Sequence, residues 1–309
     1  MTKLGTTDLD VYELNLGGNV FGWTADEQQS FAVLDAYAAA GGNFVDTADL
    51  YGGGGASETI IGNWLAKRGR RDDVVIATKV GMWDQRPGLS AKNIAAAAED
   101  SLRRLQTDHI DLYYAHRDVP GTPLEETLTA FDALVRAGKV RYIGASNYSA
   151  ERLTEALSIS DSNGLARFAV VQPHYNLMER DFERELAPLT VREGLATLPY
   201  FSLAKGFLTG KYRKDTTVDS PRAGRAMSYL DERGERVLAE LDNLAYTYDT
   251  TVAAVALAWL RRMWTVVAPI TSARTPEQLA DLIASVGLEL DEDDIGMLTT
   301  LSARRLTDQ

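Results

Sequence analysis

Apolar runs of strand length recur along the chain and alternate with longer stretches in which apolar residues return every three or four positions. The runs begin at Leu14 (LNLGGNVF), Asn43 (NFVDTAD), Val74 (VVIATKV), Ile110 (IDLYYAHR), Val140 (VRYIGASN), Phe168 (FAVVQPHYN), Leu195 (LATLPYFSLA) and Val266 (VVAPITSA). Segments between them, such as NIAAAAEDSLRRL and PLEETLTAFDALVRA, carry helical periodicity. Successive runs start roughly 30 residues apart, the size of a βα unit, until a much longer gap before the last. Eight such units predict a parallel (β/α)₈ barrel, a single domain over residues 1–309. A doubly wound open sheet is the rival, but the regular count and the lack of a dinucleotide fingerprint favour closure.

The residues between runs agree with that reading. Capping boxes are expected at Thr24 with Glu27, Thr122 with Glu125 and Thr275 with Gln278, with Pro123 and Pro276 at the first helical position of the last two. Glycines 41, 69, 138 and 194 are expected to stop helices shortly before the next strand. The first twelve residues read as a hairpin plugging the barrel bottom, and extra helices are expected near the C-terminus. Residues 211–225, KYRKDTTVDSPRAGR, break the rhythm and read as a mobile loop.

Parallel strands buried on both faces should be almost wholly apolar. Several of these runs nevertheless end in a polar side chain: Asp46 in the second, Lys79 in the third, His116 in the fourth, Ser146 and Asn147 in the fifth, Gln172 in the sixth. Tyr51 stands just beyond the second. Each alone has an ordinary reading, as a turn residue, a rim lysine or a strand-end histidine. In a (β/α)₈ barrel, however, all those ends open at one rim, where active sites lie. A tyrosine is a weak acid at neutral pH, with an unperturbed pKa of about 10. A neighbouring buried ammonium favours its phenolate and is expected to lower that value, while a carboxylate keeps the lysine charged and in place. A histidine adds a hydrogen bond that orients a carbonyl oxygen. Such a group can protonate an oxygen that is becoming an alkoxide, but it holds no electron source, so a reduction needs hydride from a cofactor.

Composition narrows the partners. The chain has 309 residues, 45% of them apolar, and a formal charge of −12. Bulk electrostatics therefore disfavour nucleic acid, and an anionic ligand needs a local cluster of cations. Zero cysteines and only three histidines argue against disulfides, a thiol nucleophile or a metal centre. The run VAAVALAWL is about half the roughly 20 residues a membrane span requires, and the N-terminus lacks a signal-like apolar core, so a cytoplasmic protein without membrane partners is expected.

Five motifs in order resemble the aldo-keto reductase family over nearly the whole length. They are NFVDTADLYGGGGASETIIG, DLYYAHRD, IGASNYS with VQPHYNLMERD, YFSLAKGFLTGKY, and TSARTPEQL. The resemblance implies a catalytic set of Asp46, Tyr51, Lys79 and His116, with Tyr51 as general acid, and NADPH extended across the barrel mouth. It implies that Ser146, Asn147 and Gln172 surround the nicotinamide amide, with Tyr200 stacked on the ring. Gly206, Leu208 and Lys211 would line the pyrophosphate, and Gly18, Asn19, Asp46, Leu203, Lys205, Ser272, Arg274 and Gln278 complete the cofactor contacts. The run GGGGAS fits no phosphate-loop spacing and reads instead as flexible backbone carrying the chain from Tyr51 into a helix near Ser57. Phe201, Ser202 and Leu282 depart from the family's usual residues.

Arg274 before a capped helix start also makes sense as a grip for a 2′-phosphate, which predicts NADPH over NADH. A substrate pocket is expected from Phe21, Trp23, Tyr51, Met82, Trp83, His116 and Arg117, whose aromatic lining suits an uncharged aldehyde or ketone. Trp64 and Trp259 read as packing residues. Two rivals to a carbonyl reductase are an NADPH-binding regulatory or sensor subunit of slow turnover, and an aldolase forming a Schiff base on Lys79. The second requires a lysine without a carboxylate partner.

Overall fold

The computed structural model describes residues 1–214 and 216–303; Asp215, within the stretch read as a loop, and residues 304–309 lie outside it. Eight parallel strands form one sheet: Asn15–Gly17, Phe44–Asp46, Val75–Val80, Ile110–Ala115, Val140–Ser146, Phe168–Gln172, Ala196–Thr197 and Ile270–Thr271. All eight fall inside the apolar runs. Chain order is kept around the sheet, and the eighth strand pairs with the first, Ile270 opposite Asn15 and Thr271 opposite Leu16. The seventh meets the eighth segment through Thr197 N–H to the Thr265 carbonyl (2.8 Å) and Val267 N–H to the Thr197 carbonyl (3.0 Å). Ile270 N–H adds a bond to the Pro199 carbonyl at 2.9 Å, and with it the sheet curls into a (β/α)₈ barrel.

Closure dictates burial. Every residue of Val75–Val80 and of Ile110–Ala115 is buried, because one face meets the barrel interior and the other the helices. The N-terminal hairpin pairs Thr2 with Val11 and Lys3 with Asp10. Its Leu4, Leu9 and Val11 pack in the same cluster as Phe44, Leu112, Val170 and Ala196, so it plugs the end of the barrel from which the strands start. Trp64 and Trp259 are both buried packing residues.

The long gap before the eighth strand is filled by a 3₁₀ segment, Ala204–Thr209, and by helices Ala223–Met227, Glu232–Thr247 and Val252–Arg261. These build a second apolar cluster around Leu238, Leu241, Val255 and Trp259, which the terminal helix Glu292–Ser302 joins through Leu298. The extra helices thus lie mostly in that insertion, with one at the C-terminal side.

Two expected caps are corrected. The first long helix, Glu27–Ala39, is capped by Asp26, whose carboxylate accepts from Gln29 N–H while the Gln29 side chain accepts from Asp26 N–H. Thr24 is two residues too early, because its amide is already spent on the Val20 carbonyl in the preceding turn. Before Leu124–Arg136 the extended Pro123 (ψ 133°) occupies the cap position itself, so Pro123 is not the first helical residue and no side-chain cap forms. At Pro276–Ile283 Pro276 opens the helix and Thr275 accepts from Gln278 N–H, but the expected box is only half made, because the Gln278 side-chain oxygen accepts from Arg274 N–H instead of Thr275 N–H. Glycines 69 and 194 cap their helices in the left-handed conformation, and 41 and 138 follow theirs with φ of 87° and 71°.

Candidate active site

The sheet register brings the polar strand ends together. Asp46 ends the second strand opposite Ala77, and Lys79 lies opposite Tyr114 one residue from the end of the third. His116 immediately follows the fourth strand, and Ser146 ends the fifth opposite Gln172, which ends the sixth. Tyr51 is delivered by the turn after the second strand. There Gly52, Gly53, Gly54 and Gly55 have φ of 72°, 86°, 114° and 89°, a run of left-handed backbone that only glycine enters at little cost. At Gly52 an added Cβ would stand 2.9 Å from the Phe21 carbonyl oxygen, whereas at Gly53 it would meet nothing within 4 Å. Gly52→Ala is therefore expected to lower Tm more than Gly53→Ala. The latter carries only backbone strain of about 1–2 kcal/mol; equal losses in parallel melts would show that the Phe21 contact is not what fixes the turn.

Lys79 is fully buried, with its ammonium held by two acceptors. The ammonium pairs with Asp46 Oδ1, donates to the Thr47 carbonyl at 2.7 Å, and lies 5.0 Å from the centre of the Tyr51 ring. Asp46 Oδ2 in turn accepts from Gln172 Nε2 at 2.9 Å. Burial opposes the charge on Lys79, but Asp46 and then Tyr51 outweigh it and hold its pKa above the ordinary value. Tyr51 gives a correction. Burial raises its pKa, and Lys79 pulls it back only in part, so the phenol stays protonated beyond its ordinary range rather than becoming more acidic. The His116 ring stands edge-on to the Tyr51 ring, with centroids 6.0 Å apart. Burial, then the Lys79 and Arg117 charges, push its pKa well below the usual value, so the imidazole is neutral and keeps one N–H to donate. Its Nδ1 has no hydrogen-bond partner among the described residues.

Asp46, Tyr51, His116 and Gln172 line a cavity of about 870 Å³ at the barrel mouth, with Lys79 fully buried behind them. Asn19, Trp23, Asp46, Tyr51, Met82, His116, Arg117, Ser146, Asn147, Gln172, Tyr200, Leu203, Lys205, Gly206, Lys211, Ser272, Arg274 and Gln278 all line it. Several are already bonded to one another. Asn147, at φ 56°, donates to the His116 carbonyl (2.9 Å) and accepts from the Tyr200 hydroxyl (2.7 Å). Ser146 donates to the Gln172 carbonyl (3.0 Å), and Ser272 donates to Asn19 (2.7 Å).

Five expected residues do not reach the cavity wall, the first being Lys79, which is fully buried and acts on the site only through its neighbours. Phe21 and Leu208 are fully buried in the apolar clusters, because their neighbours in each turn, Trp23 and Lys205, take the outward positions. Trp83 lies against Gly54 and under the Arg86 guanidinium, turned there by the hairpin Met82–Trp83 with Arg86–Pro87. Gly18 contributes only backbone, its N–H bonded to the Asp46 carbonyl at 2.7 Å. Conversely, Arg222 and Arg225 line the mouth and escaped the sequence reading. Arg222 stacks on Trp23, 5.4 Å from its ring, with burial pushing its pKa down. The only signal was the pair of arginines in SPRAGR, inside a stretch without periodicity.

The arrangement decides one rival. Lys79 is paired with a carboxylate, so it lacks the free amine that a Schiff-base aldolase needs. It also suits an extended anionic cofactor. Lys205, Lys211, Arg222, Arg225 and Arg274 face the mouth with no carboxylate within 4.0 Å among the described residues, on a chain of net charge −12. Beside them the backbone of Phe201, Ala204 and Lys205 has φ of 50°, 47° and 59°, strain of the kind that clusters at ligand clamps.

The family model for the Aldo/keto reductase family matches residues 13–303. The chain belongs to the aldo/keto reductase family. It is 39% identical over 97% of its length to the uncharacterized oxidoreductase YrpG of Bacillus subtilis, covering 95% of that protein. It is 36% identical to Protein tas of Escherichia coli, with 94% of each chain covered. A norsolorinic acid reductase of Aspergillus flavus is 34% identical over 87% of this chain and 70% of its own. This aldo/keto reductase is thus an oxidoreductase of the carbonyl-reducing kind, in a family that uses nicotinamide cofactors. Among its described residues no helix is long and apolar enough to cross a membrane.

Proposed function

We propose that this aldo/keto reductase reduces an aldehyde or ketone to the alcohol with NADPH, Tyr51 giving the proton to the carbonyl oxygen. The observation that carries the reading is the buried ammonium of Lys79, held by Asp46 and the Thr47 carbonyl 5.0 Å from the centre of the Tyr51 ring. A reduced nicotinamide supplies hydride to the carbonyl carbon; the protein's part is the proton and its setting. His116, neutral and facing Tyr51, donates a hydrogen bond that orients the carbonyl oxygen beside the phenol. As the oxygen gains charge, the phenol proton moves to it, and the phenolate left behind is stabilised by Lys79. Asp46 keeps Lys79 charged without touching the substrate.

Gln172, Asn147 and Ser146 would hold the carboxamide end of the cofactor, Tyr200 its ring, and the cations from Lys205 to Arg225 its phosphates. A relative named aryl-alcohol dehydrogenase supports carbonyls attached to aromatic rings, which the Trp23 and Met82 walls suit. Loss of 340 nm absorbance on mixing NADPH with a panel of aryl aldehydes and ketones tests the assignment. A protein that binds NADPH yet turns over none of them would instead favour the sensor reading.

Preference for NADPH rests on Arg274. Its own N–H is fixed by the Gln278 side-chain oxygen at 3.0 Å, at the N-terminus of Pro276–Ile283, which leaves the guanidinium available at a positive helix end. Arg274→Ala should raise KM for NADPH by about 10- to 100-fold, the worth of one or two charge-assisted bonds. The change for NADH should be several-fold smaller, and equal losses for both cofactors would refute the assignment.

A further inference from the structure

Among the described residues, arginines elsewhere on this acidic chain are engaged. Arg71 pairs with Asp111 at 2.7 Å, Arg104 with Glu58 at 2.6 Å, and buried Arg233 donates to the carbonyls of Ser302 and Met178. Among the described residues Arg117, Arg222, Arg225 and Arg274 have no carboxylate within 4.0 Å, and all four line the mouth. Three of them belong with the cofactor. Arg222 feels the charges of Arg274 and Arg225, so these lie together on the side assigned to the phosphates. Arg117 is on the other side, directly after His116.

The surroundings of Arg117 explain why it is free. Its nearest acidic neighbour in sequence, Asp118, is taken by a two-pronged contact from Arg152, Nε to Oδ2 at 2.9 Å and Nη2 to Oδ1 at 3.1 Å. Arg152 is itself braced by Glu155 at 2.7 Å. The main chain under Arg117 is fixed as well: His116 N–H bonds the Val80 carbonyl (2.9 Å), and Asn147 holds the His116 carbonyl (2.9 Å). On a rigid base, an arginine with no carboxylate partner among the described residues thus lines the same cavity as Tyr51 and His116, with Trp23, Leu50 and Met82 as apolar lining.

We propose that Arg117 is a specificity-determining residue that receives an anionic group, a carboxylate or its equivalent, on the carbonyl substrate. The inference rests on the carbonyl-reductase reading above and changes one expectation from it. Aromatic walls alone suit an uncharged substrate, whereas walls that end in an unpaired guanidinium suit an apolar body with a carbonyl at one end and an anion at the other.

The test compares 4-carboxybenzaldehyde with its methyl ester, two aldehydes of similar shape that differ in charge and whose difference in intrinsic reactivity cancels when one ratio is compared between variants, at saturating NADPH. In the unmodified enzyme the acid-to-ester ratio of kcat/KM should fall as salt rises, because the pairing is partly exposed and screened. Arg117→Gln should lower that ratio about fivefold, the worth of a partly exposed ion pair. Arg117→Lys, keeping the charge but not the planar fork, should recover part of it. A fall of at least about threefold in the glutamine variant supports the proposal; a smaller one overturns it while leaving the reductase reading intact, since the ester reports that activity. If NADPH reduces neither aldehyde in the unmodified enzyme, the reductase reading and this inference fall together; if it reduces the ester but not the acid, the inference alone falls.

Discussion

Tyr51→Phe should lower kcat/KM for carbonyl reduction by about 10²- to 10⁴-fold, the range expected when a positioned proton donor is lost. NADPH affinity, followed by quenching of tryptophan fluorescence, should change little, because the ring and its place after the glycine turn are kept. The pH profile makes the prediction specific. Burial raises the Tyr51 pKa above its ordinary value of 10, and Lys79 only moderates the rise. A reductive general acid works while it holds its proton, so kcat/KM should stay level through neutrality and decline only at pH values above about 10. His116, whose pKa is driven down by burial and by Lys79, is already neutral across that range and adds no inflection at neutral pH. A fall in rate centred near pH 7 in the unmodified enzyme, or near-full activity in the phenylalanine variant, would remove Tyr51 from the role.

Much of this site was legible in the sequence because barrel topology turns sequence position into spatial position. A polar residue at the end of an otherwise apolar parallel strand can only point to the rim or be buried beneath it. Asp46, His116, Ser146 and Gln172 sit at strand ends and line one mouth, and Lys79, one residue from its strand end, is buried against Asp46. The glycine run was legible too, because its composition matched no phosphate loop and four consecutive left-handed residues need four glycines.

What the sequence hid depends on long-range packing. Phe21 and Trp23 are two residues apart in one turn, and nothing local says that Phe21 enters the core while Trp23 is 55% exposed at the mouth. Arg222 reaches the site by way of an insertion whose path is fixed by the second apolar cluster, not by any period of its own. The direction of the Tyr51 shift was misread for a related reason. A neighbouring ammonium is visible in the motif, whereas desolvation depends on everything packed around the phenol, and here it is the larger influence.

Lys79→Met separates the electrostatic role of the lysine from its structural one. With the ammonium gone, the phenolate formed on proton transfer has no adjacent positive charge, and kcat should drop about 10²- to 10³-fold. Asp46, 2% exposed, would keep only the Gln172 amide as a side-chain donor, and a buried carboxylate stripped of its partner costs about 3–5 kcal/mol. Tm should therefore fall by roughly 10 °C. Adding Asp46→Asn removes the stranded charge, and since neutral replacement of a whole buried pair is often nearly free, the double variant should regain most of the lost stability. It should not regain the rate, because neither neutral side chain can stabilise a phenolate. Rate and stability returning together would mean that Lys79 only holds the barrel floor in shape; stability returning alone would tie the chemistry to its charge.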